Sequence, residues 1–482
     1  MRGLSRLLLA ALLLLGLVWG ALHLVIVPRI AELRPWLESA ATRALGIPVR
    51  VGQIAALPGT PLPALELRDV SLLDAAGLPA LQLPLVRASL SLGSLVRLDF
   101  EQLYVENPTL TVQRLADGRL QVAGLDVSGP GADQASPVAD WFFSQREFVI
   151  RGGTVRWIDD QRSGLPLELQ QLSFIMRNSA RHHDMRIDAS PPPGWGERMQ
   201  LSGRFQRPLL SLHPGLWRDW SGEIYADLPQ VDVTRLRQHA RLGIDLREGK
   251  GGARVWIDVV KGGVVGAVAD LALAQASAVL GDGLEPLDLR YVTGRIGGKK
   301  LAGGFEFFTE RLQFQTQEGV VWPGGNVTVS HMDADRQRPA SGEVRADRLD
   351  LAALGQIAAR LPLGTATLAT LQEHPVVGLV ESLSARWQGP LTAPTQYTVK
   401  ARVSRLAVAS VPARGIPGLQ GATVDVELDQ SGGKGKLVID NGALDLPGVF
   451  EDPWLPLRSL NAEAGWQLRG EQIRVNRFSA RF

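Results

Sequence analysis

The sequence predicts a mainly β protein: an N-terminal transmembrane helix followed by a long antiparallel sheet with one apolar face and few short helices. Three observations carry this. An apolar run opens the chain, residues from 49 onward alternate apolar and polar with a period of two, and 52 Gly with 30 Pro among 482 residues supply frequent chain reversals.

The apolar run covers residues 7–27, with Leu7, Leu15, Trp19 and Val27 along it, His23 near its far end and Arg2 and Arg6 before it. Roughly twenty apolar residues span a bilayer as a helix. A cleaved signal peptide is the competing reading, but its apolar core runs about 7–15 residues and ends in a small-x-small site. Val25, Ile26, Val27 and Pro28 offer no such site. The expected layout is a cytoplasmic N-terminus (1–6), a transmembrane helix (7–27) and the rest of the chain on the opposite side. Arg2 and Arg6 set that orientation against the weaker pull of Arg29 and Arg34.

A membrane-proximal helix is expected over 28–46. Pro35 suits a first helical turn, Leu37, Ala41, Ala44 and Leu45 share a face opposite Glu38 and Arg43, and Gly46 with Pro48 stops it. It reads either as a cap on the mouth of the β region or as a packed surface helix.

Strands fill the remainder, a first β segment over 47–130 and a continuing repetitive one over 131–482. Leu65 and Leu67, Val70 and Leu72, then Leu81, Leu83 and Leu85 alternate with polar partners. So do Val155 and Trp157; Leu172, Phe174 and Met176; Phe305 and Phe307; Leu312 and Phe314; Val399 and Val403. Such alternation gives strands with one apolar face, and the same pattern serves an open groove or a closed sandwich core. Gly-Gly pairs, Asp117-Gly118 and Asn441-Gly442 read as turns, and the Gly/Ser/Pro-rich stretch 124–137 as a loop or sheet boundary. Helices are expected over 136–145 and 347–361, with a weaker candidate over 232–242. Residues 152–159 (GGTVRWID) recur as 251–258 (GGARVWID), which favours a repeated β architecture over a compact enzyme.

Composition narrows the chemistry. Lys+Arg 51 against Asp+Glu 49 leaves a net charge of +2 with no basic run, so nothing points to a nucleic-acid partner. The absence of Cys removes thiolate catalysis, cysteine metal sites and disulfides, and suits an oxidising compartment. Residues 293–300 (TGRIGGKK) miss the P-loop pattern, with Lys300 where Ser or Thr would bind Mg²⁺. His182, His183 and Asp184 are adjacent on a strand and point to opposite faces, so a solvent-facing or turn reading is preferred to a metal site. Asp159-Asp160 reads as a solvated turn. No catalytic residue, metal or cofactor is expected.

Several segments resemble a known family. The anchor, the break at Leu45, Gly46, Ile47, Pro48 and Val49, residues 141–145 beginning with Trp141, the strand 153–160, and Trp220, Ser221, Gly222, Glu223, Ile224 and Tyr225 are similar to the AsmA-like proteins, specifically the YhdP branch. His183, Pro191 to Pro193, Trp256 and residues 446–450 follow in similar order and spacing, so the resemblance covers essentially the whole chain. It implies a long, twisted, taco-shaped β-sheet whose concave apolar face is a continuous hydrophobic groove. It also implies anchorage in the bacterial inner membrane with the bulk of the chain in the periplasm, and phospholipid as cargo moved towards the outer membrane to support its barrier. Phospholipids, the inner membrane and, at the distal end, the outer membrane or its proteins are the implied partners. Members of that branch are far longer, and here Ile473, Val475, Phe478, Ala480 and Phe482 still alternate at the last residue. The expectation is therefore a portion truncated at its C-terminus. A periplasmic scaffold for outer-membrane protein assembly is the alternative function, and a secreted β-rich hydrolase or glycan-binding protein a more distant one.

Overall fold

The computed structural model describes residues 27–482 apart from 58–63, 74–76, 78, 90–99, 127–136, 163–165, 212, 240–244, 374, 391–392, 471 and 482. The expected transmembrane helix, with Leu7, Leu15 and Trp19, lies outside the described residues except for Val27, which sits in a 3₁₀ segment, Val27–Leu33. Among the described residues no helix is long and apolar enough to cross a membrane. The chain is mainly β, and the described residues form 26 strands and a few short helices. It divides into two compact units, Met1–Pro229 with Trp256–Val264, and Gln230–Val255 with Val265–Phe482.

In the first unit, helix α1 (Arg34–Leu45) has Pro35 in its first turn and ends at Gly46, which is left-handed (φ 70°) and donates its N–H to the Thr42 carbonyl at 2.8 Å. The helix lies along β1 (Val49–Leu57). The Thr42 hydroxyl accepts the Val49 N–H at 3.0 Å and the Glu38 carboxylate accepts the Val51 N–H at 2.8 Å. On its other side β1 pairs with β2 (Ala64–Leu73), so α1 closes a sheet edge that would otherwise be open to pairing with another chain.

β3 (Pro79–Ser89) and β4 (Gln102–Glu106) continue the antiparallel order, and β5 (Thr109–Arg114), β6 (Leu120–Val122) and β7 (Leu125–Asp126) form small hairpins. Helix α2 (Pro137–Ser144) then leads into β8 (Glu147–Asp159), which pairs in parallel with β4 and, past Asn107, with β5. Two expectations are corrected here. The sheet is not wholly antiparallel, because α2 and the segment before it supply the long crossover that a parallel pair needs. Nor does 124–137 separate two sheets, since the ladder runs from strands before it to a strand after it. β9 (Leu167–Asn178), β10 (His182–Ser190), β11 (Met199–Gln206) and β12 (Ser221–Asp232) extend the order antiparallel.

The apolar face of this unit is filled. Leu37, Ala41 and Leu45 of α1 and Trp141 of α2 pack into one cluster with Val51, Leu67, Val86, Val105, Ile150, Leu172 and Ala189 from seven strands. At its border His183, fully buried, stacks on Trp220 with ring centroids 4.1 Å apart, and Phe143 stands edge-on to both. This corrects the solvent-facing reading of His183. Asn178 donates from its amide nitrogen to the Gln145 carbonyl at 2.7 Å, so its oxygen must accept from His183 Nδ1 at 2.8 Å, and Nε2 is left bare in the core. Burial pushes the His183 imidazole down to about 4. The folded state then binds fewer protons than the unfolded chain between about 6.5 and 4, so this contribution is complete above pH 6.5 and lost as pH falls towards 4. Wild type should lose on the order of 3 kcal/mol across that window through this group, and His183→Phe should flatten the slope in urea unfolding at stepped pH.

Asp159 also departs from its reading as a solvated turn. It is buried, it takes two hydrogen bonds from the Arg114 guanidinium with Arg162 at 3.7 Å, and the Arg114 bond holds its carboxyl below the usual range. The pair ties the end of β8 to β5, a structural role.

The second unit holds β13 (Asp245–Val260), β14 (Gly263–Val279), β15 (Leu287–Leu301), β16 (Gly304–Thr316), β17 (Val321–Pro323), β18 (Val327–Met332), β19 (Ser341–Ala346) and β20 (Leu349–Asp350). Helices α3 (Leu351–Ile357) and α4 (Thr365–Glu373) come next, then β21 (Val376–Gln388), β22 (Gln396–Val408), β23 (Gly418–Asp429), β24 (Gly432–Asp445), β25 (Trp454–Arg469) and β26 (Gln472–Arg481). The tip of the β13–β14 hairpin, Trp256–Val264, groups with the first unit. From β14 to β26 the ladder is antiparallel, with β17 and β18 both on β16, and β19 and β20 both on β21.

Bulges recur inside these strands. Asp69, Gln171, Gln275, Arg311, Arg405 and Asn441 have left-handed backbone (φ 50–53°, with Arg311 at 49°) within strands. At Asn107 and Arg348 the strand breaks in two, β4 from β5 and β19 from β20. One inserted residue keeps side chains three apart on the same face, so Leu67 and Val70, and likewise Val403 and Leu406, both face a core. Gly152-Gly153 and Asn441-Gly442, expected as turns, lie inside β8 and β24 at such sites, and Gly251-Gly252, also expected as a turn, lies inside β13. Opposite Arg311 stands Gly294 (φ 128°), where a Cβ would sit 2.6 Å from the Arg311 carbonyl oxygen. Gly294→Val should destabilise the second unit by about 2–4 kcal/mol, while Arg311→Gly, which relieves a left-handed non-glycine, should be neutral or stabilising by about 1 kcal/mol. Urea midpoints check both.

Candidate functional site

Beyond the bulges, the second unit is covered on one side and bare on the other. Leu273, Leu289, Val292, Phe314 and Trp322 are buried under α3, whose Ala353 and Ile357 pack on them, and Phe314 stacks on Trp322 at 5.5 Å. Asp350 caps α3 by accepting the Ala353 N–H at 2.9 Å. No such cover lies on the opposite half of the strands among the described residues.

On that half the register aligns small and apolar residues across strand after strand. One row runs Ala267, Gly298, Phe307, Val329, Val344, Ala385, Val399, Leu428, Gly433, Trp466, Val475 from β14 to β26. The neighbouring row runs Ala269, Ile296, Thr309, Val327, Ala346, Leu383, Ala401, Val426, Gly435, Ala464, Phe478, with Thr309 its one polar member. Ten steps of about 4.8 Å make each row about 48 Å along the ladder, and the rows lie about 7 Å apart. A hydrophobic core would bury these side chains, yet Val329, Val344, Ala385 and Val399 are half-buried and Phe307 and Phe478 are 43% and 70% exposed.

Glycines make room for flat aromatic rings on this face. Gly342 pairs with Trp387, and a Cβ there would sit 2.1 Å from the indole; Gly433 pairs with Trp466 at 2.7 Å by the same measure. An aromatic ring laid over a cross-strand glycine shields that backbone without adding a ridge.

The other face of the same strands is charged and internally paired. Glu343 accepts from Arg386 at 2.7 Å and Arg345 at 2.8 Å, and these guanidiniums, Arg386 foremost, hold its carboxyl below the usual range. Glu427 pairs with Lys400 at 3.1 Å and Lys434 at 2.9 Å. The two faces therefore differ in kind, one solvated by ion pairs and the other offering nothing that water can bind.

The residues singled out in the sequence separate into three settings. Phe305, Phe307 and Val399 stand on the bare face, with Val403 beside the Leu406 and Val424 cluster. Leu312 and Phe314 pack beneath α3. Leu172 and Met176 are buried in the first unit, where Val155 and Phe174 pack against the same core and Trp157 is half-buried. Ala401 alternates with Val399 and Val403 in the sequence, but the other Ala and the Gly members of the rows were not anticipated; only the cross-strand register reveals them. Residues 293–300 lie within β15, and among the described residues no cluster of three or more His, Cys, Asp or Glu could hold a metal.

The family model described as YhdP protein matches residues 1–481. No curated protein and no solved structure matches the chain.

Proposed function

The chain belongs to the YhdP family, and on that premise we propose that it is an inner-membrane-anchored periplasmic conduit that carries phospholipid towards the outer membrane and so supports the outer-membrane barrier. The carrying observation is the pair of rows across eleven strands, apolar but for Thr309 and largely open to solvent, with Thr309 and Ala346 buried. An acyl chain crossing water exposes CH₂ groups at about 0.8 kcal/mol each, and a continuous apolar surface removes that cost at every position along it. Because such burial is non-directional, a lipid shifted by one strand meets an equivalent surface and breaks no specific bond. Headgroups stay in water, so the rows need no polar recognition, and the transfer asks no chemical step of the protein.

In this reading residues 7–27 fix the chain in the inner membrane, and the distal partner is the outer membrane or a protein in it. The test is to purify the full chain in mild detergent and extract it for lipid analysis. Stoichiometric phospholipid, depleted by substitutions on the rows, is the expected result. A lipid-free protein whose rows can be altered without loss of barrier function would overturn the proposal.

A further inference from the structure

We propose that loop residues 207–211 and 213–219 and the hairpin tip Trp256–Val264 seat the first unit on the surface of an anionic phospholipid bilayer, the one that residues 7–27 enter; this rests on the anchored reading above. Leu209 and Leu210 of the loop are 76% and 92% exposed, and Trp217 of the loop and Val260 and Val264 of the tip are exposed too. The loop and the tip are adjacent, since the Gly262 N–H donates to the Trp220 carbonyl at 2.9 Å and a Cβ at Gly262 would meet the Arg218 backbone at 2.8 Å. The loop and tip carry Arg207, Arg218 and Lys261 against the carboxylates of Asp219 and Asp258, and the Arg218 guanidinium lies 5.1 Å over the Trp217 ring. Exposed leucine and tryptophan side chains on segments that also carry Arg and Lys match the headgroup region, where apolar side chains reach the acyl boundary and Arg and Lys meet lipid phosphates.

The placement supports a bilayer over a protein partner. Register links Glu147, Arg177, Asp184, Arg204 and Glu223, so the loop leaves β11 at the same end of the sheet at which α2 enters β8. Asp140 of α2 accepts the Gly215 N–H at 2.7 Å and pairs with His213 at 2.8 Å, which holds the loop rigidly on the helix. α2 in turn touches α1, which follows the segment leading out of residues 7–27 and leaves Trp36 61% exposed. A tether on these elements keeps the loop at high local concentration over one membrane.

The chain has no native cysteine, so a single Leu210→Cys carrying an environment-sensitive fluorophore reports on the loop in the full-length protein. The protein is reconstituted in vesicles of phosphatidylethanolamine and phosphatidylglycerol, with Leu15→Cys as the anchor reference and Ser330→Cys as the aqueous one. The expected result is quenching of the Leu210 probe by nitroxide-labelled lipid and several-fold protection from iodide, relative to Ser330. Equal iodide quenching at both positions overturns the docking; a Leu15 probe still quenched by deep nitroxide then leaves the anchored reading standing, and a Leu15 probe in water removes that reading too. Protection from iodide without nitroxide quenching means a second copy or another protein covers the loop and also overturns the proposal.

Discussion

Phe307→Asp is expected to leave the protein folded and to empty its apolar face of lipid, whereas Met176→Asp is expected to unfold the first unit. Both are apolar residues in alternating strands, and by sequence pattern they have the same standing. Met176 is fully buried, so a carboxylate there loses its hydration with no partner, at about 4 kcal/mol or more. Phe307 is 43% exposed between Gly298 and Val329, so Asp in its place stays wet and the fold loses about 1–2 kcal/mol of packing at most. A charge in the middle of the row instead meets the passing acyl chain. Circular dichroism, protease resistance and bound-lipid analysis on the two variants read these outcomes. Unfolding by Phe307→Asp would mean that this face is a closed core.

The second large effect concerns the flat rings. Gly342→Val should push the Trp387 indole off the sheet, because the new Cβ would overlap it at 2.1 Å, and overpacking of this kind costs about 1–3 kcal/mol. A displaced indole projects into the path beside the rows, so lipid load and barrier function should fall several-fold while the strands persist. Trp387→Ala in the same chain removes the clash and should restore both. Failure of the double variant to recover would show that Gly342 matters for another reason than space.

Much of the fold could be read beforehand because it obeys local rules. Gly46 and Pro35 bound α1 where expected, Pro137 opens α2, and Asp350 caps α3 within the stretch 347–361. Of the candidate over 232–242, residues 240–242 lie outside the described residues, and the rest holds one helical turn, Val233–Leu236. α4 was not foreseen, since its β-branched threonines lower helix propensity and blur the apolar stripe. The bulges were read as turns because left-handed Gly and Asn serve both, and only pairing on either side distinguishes a strand that bends from one that reverses.

The bare face was half legible. Bulky alternation pointed to Phe305, Phe307 and Val399, but it pointed equally to Leu172 and Met176, because a strand cannot record whether a helix covers it. α1, α2 and α3 make that difference through contacts distant in sequence. Gly298, Ala385 and Gly433 carried no apolar signal by themselves; their meaning comes from their partners across the ladder.

Phospholipid should lie against one face of the second unit and not the other. The most direct measurement places a photoreactive benzoylphenylalanine at Val399 on the row or at Lys400 on the charged face, in cells labelled with radioactive phosphate. Neighbours in sequence, these two side chains face opposite sides of β22. Phosphate label should appear on the protein after irradiation with the probe at Val399 and be absent with the probe at Lys400. Equal labelling at both, or none at Val399 with the protein folded and in the membrane, would contradict the account.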